Sequence, residues 1–440
     1  MNDKKKSYVL PIAMMYALFA MIAFVTGLSN PLGVIVKNQD GIQNWMSQLG
    51  NFANFFAYLF MGLPAGIILK RKGYKFTALS AIAVGFIGVG IQLLSGLIPY
   101  EKGGNFLPVF SVYLTGAFIS GFSMCMLNTV VNPLLNTLGG GGKKGNQLIQ
   151  FGGSINSLAA TIVPILGGYL IADATKALVR DAIPALAIAM SIFALAFIVL
   201  LFVSIPEPHL VKAEDKKSPK DKYSALSFRH FIFGTIAIFL YVGIEMGIPN
   251  FINLFLTSPA DAATPGKGMD AGAAGTVVGT YWFLMLIGRF IGGSIGGKIS
   301  AKTQLTFVSA LALILIIAGI YLPSNIDVSM PVFKADISFG LQQVPLSVLF
   351  FVLCGLCTSV MWGGIFNLAV EGIGKYTAMG SGIFMVMVVG GGVLPLIQGI
   401  VADVTVSYMA SYWVIAVALV YMLWYALSGS KNVNTDIPVN

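Results

Sequence analysis

The chain has 440 residues, of which 57% are hydrophobic and only 10% are charged, and its formal net charge is +9. A soluble domain carries roughly 25% charged residues, so this composition excludes a water-soluble fold and predicts a protein whose apolar surface faces lipid. The basic residues lie in short segments between apolar runs, which argues against nucleic acid as a partner and favours a lipid bilayer.

Twelve apolar runs are each long enough to cross the hydrocarbon core, which takes roughly 20 helical residues. In the first half of the chain, the predicted spans cover residues 9–36, 46–70, 75–99, 108–136, 145–172 and 182–205. In the second half, they cover residues 229–257, 270–298, 302–323, 343–371, 376–402 and 408–428. The first run is too long for the apolar core of a cleaved signal peptide, so we assign it to the first span.

The stretch 206–228 is the only long, highly charged segment between spans, and it predicts a linker. We therefore expect an all-α membrane protein with one six-helix bundle at residues 1–205 and a second at residues 229–440. With both termini in the cytoplasm of a bacterium, all but six of the 26 basic residues lie on that side, as the positive-inside rule requires of an inner-membrane protein. The six exceptions are Lys37, Lys102, Lys176, Arg180, Lys267 and Lys334.

The two halves also resemble each other in sequence. The segment IVPILGGYLIAD ends at Asp173, and the similar segment VLPLIQGIVAD ends 230 residues later at Asp403. The same offset pairs glycines and a lysine in the loops after spans two and eight. Residues 26–35 of span one align with residues 246–255 of span seven at an offset of 220. A repeated six-helix unit is typical of transporters that bind their substrate midway through the membrane, between the halves.

Five segments carry a resemblance to a known family. They are PAGIILKRKGYK (64–75), NTVVNP (128–133), YVGIE (241–245), IGRFIGG (287–293) and GSGIFMVMVVGGGVLPLIQGIVAD (380–403). On these segments the chain resembles the fucose–galactose–glucose:proton symporter family of the major facilitator superfamily. The resemblance implies the major facilitator fold, import of a hexose, deoxyhexose or similar sugar, coupling to a proton, and action as a monomer.

One loop departs from the superfamily pattern. The usual motif after span two contains an aspartate and an arginine, whereas this chain has Lys70, Arg71, Lys72 and Gly73 there. The fucose-permease branch alters the motif in a similar way, so the departure is consistent with the resemblance.

Of all the acidic residues, only Glu245 lies deep inside a predicted span. A charged side chain at the bilayer centre costs roughly 2.5–3.5 kcal/mol on insertion scales, so such a residue is a functional candidate. Glu245 could carry a proton as the cavity alternates its exposure, or it could accept hydrogen bonds from substrate hydroxyls. It could also be a structural carboxyl satisfied by neighbouring helices. Asp173, Asp270 and Asp403 lie at span ends, and we expect them to be helix-end or loop residues.

Two amides stand at positions that the family comparison singles out. The fucose-permease branch has an aspartate in span one and a glutamate in span four, both tied to proton coupling and sugar binding. The matching positions here are Asn30 and Asn128, which can bond to hydroxyls but cannot titrate. Three alternatives follow: Glu245 carries the coupling alone, another ion such as sodium replaces the proton, or the protein is a uniporter.

Amides and aromatic rings within the spans suit a polyhydroxylated ligand, because amides both donate and accept hydrogen bonds and ring faces pack on a pyranose. The candidate substrate-binding residues are Asn30, Asn128, Asn132, Gln150, Asn156, Asn250, Tyr281, Trp282, Trp362 and Asn367. For any one amide, hydrogen bonding between helices is an equal alternative. The basic residues beside the loops after spans two and eight are candidates for gating or for setting topology: Lys70, Arg71, Lys72, Arg289 and Lys298.

Other functions remain as alternatives. The sequence contains no Gly-x-x-x-x-Gly-Lys-Ser/Thr loop, which argues against an ATP-driven pump, and we expect neither enzymatic activity nor a cofactor or metal. Cys125, Cys354 and Cys357 lie inside apolar runs and are expected to be buried thiols. A carrier for an amino sugar, a sugar acid or a nucleoside, and a multidrug exporter, are the competing hypotheses.

Overall fold

The computed structural model of the chain describes residues 8–139, 142–171, 176–207, 223–295, 299–334, 336–434 and 436–439. Within these residues, eleven helices are long and apolar enough to cross a membrane. The longest, Leu49–Leu97, has 49 residues and breaks at Gly73, so it supplies two crossings of ordinary length. The described residues therefore make twelve crossings, and the predicted helical membrane fold is confirmed.

The described part of the first half contains seven helices, and all of them except the short α3 belong to the first six crossings. In chain order they are α1 (Val9–Gly27), α2 (Ser29–Lys37), α3 (Asn44–Ser47), α4 (Leu49–Leu97), α5 (Leu107–Leu138), α6 (Gly142–Ile171) and α7 (Ile183–Phe202). A short 3-10 turn, Val179–Ala182, leads into α7. Helices α1 and α2 form one crossing, and α4 forms the second and third.

The last six crossings contain eight helices. They are α8 (Arg229–Thr257), α9 (Ala271–Ile295), α10 (Ala301–Tyr321), α11 (Leu346–Thr358), α12 (Met361–Val370), α13 (Thr377–Met387), α14 (Gly390–Thr405) and α15 (Tyr408–Trp424). Further short turns are Ala225–Ser227, Gly374–Tyr376 and the π-helical turn Tyr425–Gly429. Helices α11 and α12 form one crossing, as do α13 and α14.

Proline and glycine explain two of the breaks. Pro31 has no N–H to donate to the carbonyl four residues earlier, which belongs to Gly27, the last residue of α1. At the α13–α14 break, Gly391 and Gly392 donate instead to carbonyls three residues back, at 3.0 and 2.9 Å. By contrast, α8 continues through Pro249 without a break.

Twelve crossings place the start of α1 and the end of α15 on the same end of the bundle. We call this end the terminal face. It carries the turn at Gly73 and the turn Gly374–Tyr376. The opposite end, which we call the distal face, carries α3 and the loop 258–270.

A β-hairpin on the distal face was not predicted. Strand β1 (Asp327–Phe333) pairs antiparallel with β2 (Phe339–Pro345), with Asp327 opposite Pro345. The predicted span 343–371 therefore began too early, because residues 343–345 belong to β2 and α11 begins at Leu346. The ring of Phe333 stacks on Phe283 of α9, with centroids 4.8 Å apart, so the hairpin rests on the bundle.

Helices α6 and α9 join the first six crossings to the last six. A Cβ added at Gly168 would collide with the backbone of Ala271, and one added at Gly275 would collide with the backbone of Pro164. Small residues let membrane helices approach this closely. The α6–α9 interface is therefore tight in the distal half of both helices, and any ligand space between the bundles must lie elsewhere along them.

Several predictions lie outside the described residues. Most of the predicted linker does so, namely residues 208–222, and so do Asp173 and Lys298. The division into bundles at residues 206–228 therefore stays a prediction. The three cysteines are free and buried, as predicted.

Candidate functional site

Glu245 forms an ion pair that the sequence analysis did not predict. The Nη2 atom of Arg289 lies 3.8 Å from Oε1 of Glu245, and their side chains are only 13% and 16% exposed. The prediction placed Arg289 beside a loop, but the residue lies inside α9, six positions before that helix ends. The acid that lies deepest within a predicted span is thus paired with a basic residue from the next crossing.

Tyrosines surround this ion pair on the side of the last six crossings. The Tyr241 hydroxyl lies beside the Glu245 carboxyl, one helical turn earlier on α8. Tyr281 of α9 bonds to Oγ1 of Thr358 at 3.1 Å and donates to the Glu245 backbone carbonyl at 3.4 Å. Glu245 therefore lies where α8, α9 and α11 meet.

The candidate tryptophans lie next to those tyrosines. Trp362 of α12 packs edge-on to Tyr241, with ring centroids 6.2 Å apart, and it is half-buried. Trp282 packs edge-on to Tyr281 at 5.3 Å and is 8% exposed. Of the two, Trp362 has more surface available to a ligand.

Arg289 also reaches across to the first six crossings. Its Nη1 atom donates to the backbone carbonyl of Gly153 on α6. Asn156 lies three residues further along α6, on the same face of that helix, and its Nδ2 donates to the Phe19 carbonyl at 3.0 Å. The guanidinium thus connects Glu245, in the last six crossings, to α6, the helix of the first six crossings that carries the candidate amide Asn156.

Asn128 and Asn132 line α5 and are both half-buried. Asn128 donates to the Tyr58 hydroxyl and to the Met124 carbonyl, both at 3.1 Å. Asn132 donates to the Asn128 backbone carbonyl at 3.1 Å. Within the described part of the chain neither amide oxygen accepts a hydrogen bond, so both oxygens are available to hydroxyl donors.

The side chains of Asn30 and Asn250 are buried and hydrogen bonded to each other. Asn30 Nδ2 donates to Asn250 Oδ1 at 3.0 Å, and Asn250 Nδ2 donates to Gln48 Oε1 at 3.1 Å. Asn253 donates to Asn30 Oδ1. All four side chains are buried, and along α8 this amide cluster lies about 7.5 Å nearer the distal face than Glu245, given the helical rise per residue.

A second layer of contacts lies beyond the amide cluster, at the distal face. Asp403 accepts hydrogen bonds from the backbone N–H groups of Asn44 and Trp45, both at 3.0 Å, and from Asn44 Nδ2 at 2.7 Å. Asn44 Nδ2 also donates to Thr264 at 2.9 Å, and Tyr408 donates to Asn44 Oδ1 at 2.7 Å. Asp403 lies near the end of α14, as predicted, and its oxygens bind residues of the other half.

The remaining candidates lie apart from this centre. Asn367 is exposed near the end of α12, and Lys70, Arg71 and Lys72 are exposed at the terminal face. Gln150 belongs to α6, but its side chain lies outside the described part of the structure.

Comparison with known proteins identifies the family of the chain. Residues 12–394 match the model of the Major Facilitator Superfamily. A glucose/galactose transporter of Brucella abortus is 31% identical to the chain, covering 98% of this chain and 97% of the relative. The L-fucose-proton symporter of Escherichia coli strain K12 is 22% identical over 91% of this chain and 88% of its own length.

A solved structure gives the same fold. The major facilitator transporter FucP in the outward conformation superposes with a TM-score of 0.66, covering 97% of this chain and all of FucP at 20% sequence identity. The twelve crossings, the family model and the Brucella relative lead to one conclusion. The chain belongs to the major facilitator superfamily and, within it, to the fucose–galactose–glucose permease family that its sequence resembles.

Proposed function

We propose that the chain is a secondary active transporter that imports a sugar, a hexose or deoxyhexose, together with a proton. It works as a monomer in the bacterial inner membrane, and the terminal face is the cytoplasmic side. The observation that carries the proposal is Glu245, a carboxyl inside a membrane-crossing helix that is connected through Arg289 to α6. A carboxyl placed between two bundles can be exposed to one side of the membrane and then to the other.

The sugar assignment rests on the relatives and on the chemistry of the site. The Brucella relative is a glucose/galactose transporter, and the E. coli relative is an L-fucose-proton symporter. Within the described residues, the amide oxygens of Asn128 and Asn132 accept no hydrogen bond and can accept from sugar hydroxyls, and Trp362 offers a half-buried ring face. Such a combination suits a pyranose better than an apolar drug.

Alternating access follows from the contacts on either side of Glu245. The amide cluster closes the distal side of the site, and the bond from Arg289 to Gly153 closes the other side. Transport requires that these two sets of contacts break in turn. Both sets of contacts are formed in the structure.

A uniporter is the second candidate, and one observation favours it. Arg289 neutralises Glu245, while Asn30 and Asn128 replace the two carboxylates of the fucose-permease branch. A carboxylate held in an ion pair needs no proton, so the sugar could equilibrate without coupling.

Uptake into proteoliposomes separates the two candidates. Purified protein is reconstituted, and labelled hexoses, deoxyhexoses and N-acetylhexosamines are supplied with and without an inward proton gradient. The symporter accumulates one of these sugars above its external concentration, and a protonophore abolishes the accumulation. A uniporter only equilibrates the sugar across the membrane, at a rate that does not depend on the proton gradient. That result would overturn proton coupling.

A further inference from the structure

We propose that Arg289 is a positioning residue that links the charge on Glu245 to the closure of the α6–α9 interface. In this inference, which rests on the proposed proton site, a proton on Glu245 releases Arg289 and lets the terminal face open. Glu245 itself need not move for the bundles to respond.

The geometry carries the first step. Nη2 of Arg289 pairs with Glu245 on α8, and Nη1 donates to the Gly153 carbonyl on α6. One guanidinium therefore holds two partners from different bundles, as its fixed fork of donors allows. The Gly153 position is crowded too, since a Cβ added there would lie 3.3 Å from Nη1.

The position along the helices carries the second step. Distal to this contact, α6 and α9 are held by close backbone packing at Gly168 and Gly275. Gly153 and Arg289 lie nearer the terminal ends of the two helices. The bond between them is therefore placed to hold shut the terminal portion of an interface whose distal portion is held by packing.

Electrostatics supply the cause. Arg289 is 13% exposed, and a buried cation that loses its counter-charge is strongly destabilised. When a proton binds the carboxylate of Glu245, the guanidinium keeps only the neutral carbonyl of Gly153. The stable place for it is then water at the terminal face, and reaching that water breaks the bond to α6.

The surroundings of Glu245 offer no substitute counter-charge among the described residues. The titratable and charged groups that face it are Arg289 and Tyr281 from α9 and Tyr241 from its own helix. Cys354 and Cys357 on α11 lie near Tyr281. The tyrosines and thiols are neutral at physiological pH, so Arg289 is the charge that responds to Glu245.

Spin-label distances test the link. Lys72 and Lys302, exposed at the terminal face on opposite halves, are replaced by cysteine and labelled, after the native cysteines are replaced by alanine and transport is verified. Pulsed electron–electron double resonance then measures the separation in lipid at acidic, neutral and alkaline pH without sugar. A longer separation reports opening of the terminal face.

The expected results are specific. With native Glu245 and Arg289, the ratio of open to closed populations rises at least about fivefold from alkaline to acidic pH, the lower end of typical coupling strengths. Glu245→Gln is open at every pH, and so is Arg289→Gln. The double variant Glu245→Gln/Arg289→Gln is no more open than either single variant, because each single change already removes the same interaction. Arg289→Lys restores much of the pH response, since it restores the charge.

Matched controls are Arg229→Gln and Glu371→Gln, two exposed terminal-face residues, and both keep the native pH response. An unchanged pH response in Arg289→Gln or in Glu245→Gln would overturn the link. Sugar uptake by the same proteoliposomes is measured separately. Loss of proton-driven uptake in the unsubstituted protein would overturn the proposed function, and a normal pH response of the distances would still support the link.

Discussion

Asn30 and Asn250, which occupy equivalent positions 220 residues apart, are hydrogen bonded to each other at 3.0 Å. The same offset separates Asn44 and Thr264, which bond at 2.9 Å. Because Asn30 and Asn250 are repeat equivalents that touch each other, they must lie near the axis that relates the halves. The distal closure of this transporter is thus built on its internal symmetry axis.

Removal of the Asn30 amide tests this closure. Asn30→Ala leaves the Oδ1 atom of Asn250 and the Nδ2 atom of Asn253 without their partner, and each such unpaired buried group costs about 1–3 kcal/mol. We expect the distal face to open more often. A cysteine introduced at Trp45, on the distal face, should then react faster with a membrane-impermeant thiol reagent added from that side.

The matched control for this change is Asn38→Ala. Asn38 lies at the end of the same crossing, but its side chain donates to the Val34 carbonyl of its own segment at 3.0 Å. Its loss should leave the reaction rate unchanged. Equal rates for Asn30→Ala and the unsubstituted protein would contradict a role for Asn30 in distal closure.

Asp403→Asn should weaken the outer layer of the same closure. The backbone N–H of Asn44 bonds to Oδ1 and that of Trp45 to Oδ2, so the NH2 group that replaces one carboxylate oxygen leaves one of these two N–H groups without its acceptor. Hydrogen bonds to a charged group contribute about 1.5–3 kcal/mol. We expect slower sugar uptake at saturating sugar, whereas Asp261→Asn, an exposed acid of the distal loop, should transport normally. Normal uptake by Asp403→Asn would contradict a role for Asp403 in closing the distal face.

Asn128 is expected to bind the sugar directly. Because its amide oxygen accepts no bond within the described residues, Asn128→Ala removes one acceptor for a sugar hydroxyl. The loss of one hydrogen bond of about 1 kcal/mol lowers affinity about fivefold. The apparent KM should rise by that factor with kcat little changed. The control is Asn105→Ala on the distal loop, where the side chain accepts from Leu107 N–H at 3.1 Å.

Gly73 should be sensitive to substitution for two separable reasons. Its φ of 87° favours glycine, and a Cβ there would meet the Glu207 carboxylate, which accepts from Tyr74 N–H at 2.7 Å. Gly103 has a φ of 90° but open space around it. Gly73→Ala should therefore lower the melting temperature in detergent more than Gly103→Ala. Equal shifts would mean that backbone strain alone matters.

The sequence predicted the crossings well because bilayer thickness fixes the length of an apolar helix. The span predicted at 229–257 coincides with α8. The hairpin was not predicted because Pro331 lies within its first strand, and proline in a sequence argues against a strand. Its two strands, of seven residues each, are also too short for either to be a membrane-crossing helix.

The candidate site was predicted only in part. The repeat identified Asn30 and Asn250 as equivalents, but contact between them depends on where the symmetry axis passes, which no local pattern contains. The ion pair was missed because its partners lie 44 residues apart on different helices. One signal was present: an acid deep in the membrane needs a counter-charge, and Arg289 is a basic residue near the end of the next span.

Net transport by Glu245→Gln tests the central claim most directly. The variant and Glu371→Gln, whose carboxyl is exposed at the terminal face, are each assayed in two ways. Accumulation is driven by a proton gradient, and sugar exchange is followed without one. We predict that Glu245→Gln loses accumulation yet retains exchange, while Glu371→Gln keeps both. Accumulation by Glu245→Gln at the unsubstituted level would contradict proton coupling at Glu245.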